Sequence, residues 1–271
     1  MSLKVKDIKN IMEEFAPIKF KESYDNVGLM VGDSNEEVTS ILVALDCTLK
    51  VIEEAKKKKC NLILTHHPLL FRKPSSITTE TLFGKKIIEL IRNNISVYSS
   101  HTNLDSVKGG INDVIMDILG FEGSKTIDLS PNRETGDNNS GIGRVAELDK
   151  NITLKELCCK IKAALGIPYL RYAGEDSMTI KKIAVINGSG QDYFYSAKKL
   201  GADCILTGDT TYHYVSDYSE EGIGIIDAGH FGTEWACIKV VAKKLENRIK
   251  EMGFNNDVII SESTKDPYKF K

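Results

Sequence analysis

The sequence predicts an α/β fold, because short apolar strands alternate with amphipathic helices and the strands end in polar residues. In the first half, a strand at 40–45 is followed by a helix at 49–59 and a strand at 61–65. In the second half, strands are predicted at 180–186 and 203–207. This alternation favours a layered α/β arrangement with a largely parallel sheet. The length of 271 residues allows one large or two modest domains.

The other elements are predicted from the same periodicity. Residues 4–16 have apolar side chains at helical spacing, and Pro17 ends the run. Further helices are predicted at 82–94, 154–165, 193–200 and 233–252, and further strands at 95–99, 223–227 and 258–261.

Composition excludes several classes of protein. The chain is 41% hydrophobic and 27% charged with a net charge of −2, which is typical of a soluble globular protein and indicates no nucleic-acid partner. It has neither the apolar run of about 18–20 residues that a membrane span needs nor the apolar core of a secretory signal. The six cysteines form no C-x-x-C pair, so we expect buried thiols in a reducing cytoplasm.

The most polar, turn-rich stretch lies at 131–141 and is a candidate domain junction or mobile loop. We therefore predict a first α/β domain at 1–130, a connecting loop at 131–141 and a second α/β domain at 142–271. The C-terminal helix and strand are candidates for packing back on the first domain.

The two halves resemble each other, which indicates an internal duplication. Residues 55–67 and 197–209 are identical at six of thirteen positions without a gap. Each copy is followed by a short strand that ends at a histidine. The first half then reads His101-Thr-Asn-Leu-Asp105 and the second His230-Phe-Gly-Thr-Glu234, so both are His-x-x-x-carboxylate. The alternative is a chance likeness between helix–strand units.

The five histidines all lie at or just past the carboxyl ends of predicted strands, or in the loops that follow, where open α/β sheets bind ligands. Imidazole and carboxylate ligands suit Zn, Mn, Fe, Ni or Co. Adjacent His66 and His67 alternate faces if extended, so each could hold one of two neighbouring ions. A carboxylate such as Glu234 can bridge a metal pair. The candidate ligands are His66, His67, Asp105, His230 and Glu234.

Several segments together resemble the Nif-three-like family, whose members are also called GTP cyclohydrolase 1 type 2 homologues. The matching segments are Tyr24-Asp-Asn-Val-Gly-Leu29, Asp46-Cys-Thr48, Thr65-His-His-Pro68, His101-Thr-Asn-Leu-Asp105, Gly109-Gly110, Gly188-Ser-Gly190, Leu206-Thr-Gly-Asp209, His213, Asp227-Ala-Gly-His230 and Glu234. Tyr24 departs from the family, which usually has Trp there.

The resemblance implies two similar, interlocked three-layer α/β domains with a dinuclear metal site at their junction. His66 and Asp105 would hold one divalent ion, His67 and His230 the other, and Glu234 would bridge them. It also implies a homohexamer built as a dimer of trimers. Because only the polar stretch 131–141 lies where some members carry an inserted domain, the chain resembles the short form.

The reaction class that the resemblance implies is hydrolysis of a ring C–N bond, as in GTP cyclohydrolase 1 type 2. His101 or His213 could transfer the proton, and either could equally be a group that orients a metal ligand. The chain has no G-x-x-x-x-G-K-[ST] phosphate loop, so a nucleotide substrate rests on the resemblance. Two alternatives stay open: a metal-dependent phosphoesterase or phosphatase, and a metal-binding adaptor or regulatory protein without turnover.

Overall fold

A computed structural model describes residues 2–269 of the chain. The helices are α1 (Val5–Phe15), α2 (Leu49–Lys57), α3 (Leu82–Arg92), α4 (Thr102–Ser106), α5 (Ile111–Leu119), α6 (Leu154–Leu165), α7 (Phe194–Lys199), α8 (Tyr212–Glu220) and α9 (His230–Glu251). The strands are β1 (Gly28–Val31), β2 (Ile41–Ala44), β3 (Leu62–Thr65), β4 (Ser96–Ser99), β5 (Lys125–Leu129), β6 (Gly141–Thr153), β7 (Arg171–Ala173), β8 (Thr179–Val185), β9 (Cys204–Thr207), β10 (Gly224–Asp227) and β11 (Val258–Ile260). They form two compact units.

The first unit contains the residues up to Leu104 together with Ile238–Lys265. Its sheet has the order β1-β4-β3-β2-β11, with β1 antiparallel to β4 and the other neighbours parallel. Strands β2, β3 and β4 are buried along their whole length, as expected for parallel strands with both faces covered. Thr48 caps the N-terminus of helix α2, because its side chain accepts the Val51 N–H and so satisfies one of the helix's first donors.

The second unit contains Asp105–Cys237 together with the residues from Asp266 onward. Its sheet has the order β5-β6-β8-β9-β10-β7. The central strands β8, β9 and β10 are parallel, whereas β5, β6 and β7 are each paired antiparallel. The sheet is therefore mixed, and the expectation of a largely parallel sheet applies to its central strands.

The internal duplication is visible in the order of elements. The first unit runs β2-α2-β3-α3-β4-α4 and the second runs β8-α7-β9-α8-β10-α9. In each unit the three strands are parallel neighbours in chain order. The likeness of residues 55–67 and 197–209 thus reflects equivalent positions of β3 and β9, and the two-sheet α/β architecture confirms the predicted fold class.

The boundaries between the two units differ from the predicted domain boundaries at residues 130 and 142. Residues 131–140 connect β5 and β6, which pair antiparallel, so this polar stretch is a hairpin connection inside the second unit. Residues 105–130 belong to the second unit too. The C-terminal strand β11 pairs with β2, which places it in the first unit.

Two further properties concern the whole chain. No helix within residues 2–269 is both long enough and apolar enough to cross a bilayer. The six cysteines are free thiols, five of them buried and Cys159 exposed. Burial raises the pKa of the Cys60 and Cys158 thiols to about 11, which makes them unreactive at neutral pH.

Candidate metal centre

His66 and His67 follow directly on β3, at its carboxyl end. The Thr65 hydroxyl donates to the His67 carbonyl at 2.9 Å, and the His67 N–H donates to the Leu45 carbonyl at 3.0 Å. Parallel pairing with β2 and β4 fixes the direction of the strand, so the histidine pair emerges at one edge of the sheet.

The structure brings a third histidine to this pair within the first unit. The ring centroid of His101 lies 5.1 Å from that of His66 and 5.6 Å from that of His67. One nitrogen from each of the three rings lies within 4.8 Å of the other two, a grouping that could hold a metal ion. His101 reaches it from the carboxyl end of β4, the neighbouring strand.

Each ring of this group has its Nδ1 against an acceptor 2.9 Å away: the Ser100 carbonyl for His66, Asp46 Oδ1 for His67 and Asp25 Oδ1 for His101. A carbonyl or carboxylate oxygen can only accept, so Nδ1 carries the hydrogen and the lone pair of the neutral ring is on Nε2. This is the arrangement by which proteins orient metal-binding histidines.

Asp25 holds His101 in place from a buried position. Its Oδ2 accepts from the Thr102 N–H at 3.1 Å and from the Thr102 hydroxyl at 2.5 Å. Burial would raise the pKa of the Asp25 carboxyl, but the hydrogen bond and charge of His101 and the two bonds from Thr102 outweigh it and lower the pKa to about 2. Asp25 is not among the site residues predicted from the sequence, although it lies in the segment Tyr24–Leu29 that carries the family resemblance.

An exposed aromatic pair adjoins His101. The Phe71 ring lies 6.3 Å from the His101 ring and 6.4 Å from the Tyr24 ring, in edge-to-face contacts. The Asn26 side chain donates to the Leu70 carbonyl at 2.7 Å and so ties the two loops together. Tyr24 thus forms part of an aromatic wall, the position where the family usually has Trp.

In the second unit, His230 begins α9 just after β10. Its Nδ1 lies 2.7 Å from Asp209 Oδ2, and its Nε2 lies 3.1 Å from Glu234 Oε1. The spacing of four residues puts His230 and Glu234 on the same face of the helix. The carboxylate on Nδ1 again leaves the ring lone pair on Nε2, beside a second carboxylate.

Asp105 and Glu234 are brought to the same side chain, the amide of Asn187. Its Nδ2 lies 2.9 Å from Asp105 Oδ1 and 3.4 Å from Glu234 Oε1. Sequence reasoning missed Asn187, because a lone Asn before a Gly-rich turn carries no ligand signature. Its position just past β8, equivalent to the histidine-bearing strand ends, is the one signal that could have found it.

Two glycines let the backbone approach the Glu234 and His230 residues closely. A Cβ on Gly188 would lie 2.5 Å from Glu234 Oε1, and its φ of +58° is in the left-handed region that favours glycine. A Cβ on Gly208 would lie 2.8 Å from the His230 Cα. The backbone at Gly188 therefore packs against the Glu234 carboxylate.

His213 has a different environment. It is an exposed residue on α8, and its ring packs edge-on against Tyr212 with centroids 5.4 Å apart. It is not part of either His/carboxylate grouping found among residues 2–269. Its catalytic role stays a prediction, and His101 is the better placed of the two histidines.

The side chains of both units have the chemistry of a divalent-metal site. Imidazole nitrogens and carboxylates are the donors that Zn, Fe, Mn, Ni and Co accept, and the acceptors on Nδ1 fix the donor atom of each ring. The structure thus contains His and Glu clusters that could bind metal ions.

Comparison with known proteins finds two relatives that this chain matches over their whole length. Both are named GTP cyclohydrolase 1 type 2 homolog: one from Clostridium acetobutylicum, 59% identical over 271 residues and 100% of both chains, and one from Clostridium perfringens, 55% identical over 268 residues, 99% of this chain and 100% of the relative. The crystal structure of a Staphylococcus aureus hypothetical protein matches with a TM-score of 0.92 at 31% identity and covers 100% of both chains.

The family itself is shown by a match over nearly the whole chain. The model of Duf34/NIF3 (NGG1p interacting factor 3) matches residues 3–267. The segments that suggested the resemblance all fall in this range. The chain therefore belongs to the Duf34/NIF3 family.

Proposed function

We propose that this protein binds two divalent metal ions and is a hydrolase of the GTP cyclohydrolase 1 type 2 kind. One observation carries the metal-binding part. His66, His67, His101 and His230 each have Nδ1 within 2.7–2.9 Å of an oxygen acceptor, which directs the lone pair of each ring to Nε2. Metal-binding histidines almost always donate the other ring N–H to such an acceptor.

The proposed ligands are the five that the sequence analysis named. His66 and Asp105 would hold one ion and His67 and His230 the other, and Glu234 would serve both. The donor set is compatible with Zn, Fe, Mn, Ni or Co. A bound metal pair would supply a water of lowered pKa and stabilise negative charge in the transition state.

The proposed role of His101 is to transfer a proton. Its Nδ1–H bond to Asp25 fixes the ring, so Nε2 can accept a proton from the attacking water or return it to the leaving nitrogen. The Tyr24 and Phe71 rings beside it suit a planar heterocycle such as guanine. The relatives' name supports a nucleotide whose imidazole ring is hydrolysed.

Metal analysis of the purified protein tests the binding claim. We expect about two ions per chain in the wild type, and a loss of at least one in Glu234→Ala, because the bridging ligand is gone. Glu251→Ala, an exposed position on the same helix, is the control and should retain both ions. Fewer than one ion per wild-type chain would contradict the proposal.

A substrate screen of the metal-loaded protein tests the reaction. Ring opening of GTP, with release of formate, is the expected outcome. Hydrolysis of generic phosphoesters but not of GTP would reassign the protein as a phosphoesterase. Two tightly bound ions without turnover on either class would make it a metal-binding adaptor.

We also propose a homohexamer, a dimer of trimers, located in the cytoplasm. The family resemblance supports the assembly, and the free thiols support a reducing compartment. Analytical ultracentrifugation should give about 180 kDa, six times the 30.1 kDa of one chain. A mass of one or two chains at micromolar concentration would contradict the hexamer.

A further inference from the structure

The second unit holds two buried carboxylates that share one neutral donor. Asp105 and Glu234 are both buried, and the Asn187 side chain lies within 2.9 Å of the first and 3.4 Å of the second. We propose that Asn187 is a positioning residue, which holds Asp105 and Glu234 in the orientation that binds a divalent cation. This inference rests on the proposed function and adds to it a residue outside the five ligands.

The orientation of the Asn187 amide follows from its neighbours. An amide has two N–H donors on Nδ2 and a carbonyl acceptor on Oδ1. With the amide reversed, the carbonyl oxygen would face two carboxylate oxygens, and all three would repel. The NH₂ group therefore faces Asp105 and Glu234, and its two hydrogens suffice for one bond to each.

Asn187 is itself fixed by a chain of hydrogen bonds. Its backbone N–H donates to the Asn112 Oδ1 at 3.1 Å, and the Asn112 Nδ2 donates to the Asp105 backbone carbonyl at 3.1 Å. Asn112 lies on α5 and is fully buried. The side chain that contacts Asp105 is thus anchored to the backbone of Asp105, which sets the distance between the two.

The neutrality of the donor suits a cation site. A lysine or arginine at this position would neutralise the carboxylates and compete with a metal ion for them. An amide fixes their geometry and leaves their charge intact, so the attraction for a divalent ion is preserved. The half-buried carboxylate of Asp113 in the same unit is instead paired with the basic side chain of Arg144, which neutralises its charge.

Metal titration of the full-length chain, stripped with a chelator, tests this role. Asn187→Leu keeps the branched shape of the side chain and removes its donors. We expect the Zn²⁺ dissociation constant of at least one site to rise about 10- to 100-fold, as for other residues that orient metal ligands. We also expect the visible absorption bands of the Co²⁺-loaded variant to shift, because one carboxylate is no longer held.

Asn256→Ala is the matched control, since the Asn256 side chain donates to the Val38 carbonyl at 2.6 Å and the Thr39 carbonyl at 3.1 Å. It should lower thermal stability and leave the Zn²⁺ dissociation constant and Co²⁺ spectrum unchanged. Two ions bound by both wild type and Asn187→Leu with affinities within about twofold would overturn the role of Asn187 alone. Fewer than one ion in the wild type would overturn the proposed function together with it.

A measurement on the wild type covers the case in which the Asn187 variant does not fold. In a crystal structure of the metal-loaded protein, we expect Asn187 Nδ2 within hydrogen-bonding distance of both carboxylates. A structure in which metal is bound and either carboxylate has turned away from Asn187 would contradict the inference.

Discussion

Single residues around the histidines decide which nitrogen of each ring can act. Asp25 is the clearest case, because its carboxylate accepts from His101 Nδ1 and from two donors of Thr102. A carboxylate is acceptor-only, so it sets the tautomer of His101 without ambiguity. The lowered pKa of about 2 keeps Asp25 charged over the whole physiological range.

We therefore predict that Asp25→Asn reduces turnover by about 100-fold, the usual contribution of a positioned acid–base group. The asparagine can use its oxygen toward Thr102, but its NH₂ then faces His101 Nδ1 and favours the opposite tautomer. Metal content should be unchanged, since Asp25 is not a proposed ligand. Steady-state rates and metal analysis check this, and equal turnover in variant and wild type would exclude His101 as the proton-transfer group.

Among the elements, α2 ties the C-terminal segment to the first unit through Glu54. Its carboxylate accepts from the Ser261 hydroxyl at 2.7 Å and from the N–H groups of Glu262 and Ser263 at 2.9 Å. Burial raises the pKa of Glu54, but these bonds and the Lys58 contact outweigh it and lower the pKa to about 2. Strand β11, which pairs with β2, comes directly before this segment in the chain.

Glu54→Gln should make the free energy of unfolding less dependent on pH in the acid range. The pKa of Glu54 in the folded chain is below the unfolded value of 4.5. The ionised carboxylate therefore stabilises the folded state fully above pH 4.5, and this stabilisation is lost as the pH falls toward 2. After allowance for solvent screening, we expect Glu54→Gln to lower the free energy of unfolding by about 2 kcal/mol at pH 7 and by much less at pH 3. Urea unfolding at the two pH values measures it.

The control for this change is Glu53→Gln, an exposed position on the same helix whose partner is Lys56. It should change the free energy of unfolding by less than about 1 kcal/mol at either pH. An equal loss at pH 7 and pH 3 in Glu54→Gln would contradict the pKa argument.

The loop after β8 depends on Gly188 for the position of Glu234. Gly188→Ala introduces a Cβ 2.5 Å from Glu234 Oε1 at a φ of +58°. Gly166→Ala is the matched control: its φ is +67°, and a Cβ there meets no atom within 4 Å. Backbone strain should lower the free energy of unfolding of both variants by about 1 kcal/mol.

Only Gly188→Ala should also weaken metal binding, because the added methyl displaces a proposed ligand. Zn²⁺ titration and thermal unfolding of both variants separate the two effects. Equal Zn²⁺ affinity in the two variants would mean that Glu234 does not contribute to metal binding.

For the whole molecule, metal removal should lower thermal stability. A ligand that binds the folded chain at 100 times its dissociation constant stabilises it by about 2.7 kcal/mol. Chelation of the proposed ions should therefore lower the Tm by several degrees, and added Zn²⁺ or Co²⁺ should restore it. Calorimetry with and without chelator checks this, and an unchanged Tm would contradict tight metal binding.

The parallel strands were predicted from the sequence more accurately than the antiparallel strands. The strands β2, β3, β8 and β9 were predicted within one or two residues, because buried parallel strands are continuous apolar runs. The antiparallel strands β1, β5, β6 and β7 were missed. Strands β1, β5 and β7 are short and mostly exposed or half-buried, so they contain no continuous apolar run. The stretch at 131–141 was interpreted as a domain junction or mobile loop, and it connects β5 to β6.

The sequence alone determined the α/β class, the repeat and the positions of the histidines and carboxylates at strand ends. These depend on local periodicity and on residue identity, which a single chain displays directly. Tertiary structure decided the hydrogen-bond partners: Asp25 for His101, Asp46 for His67, Asp209 for His230 and Asn187 for Asp105 and Glu234. These pairs are 21 to 82 residues apart in the chain, so strand pairing and packing, which no local pattern encodes, bring them together.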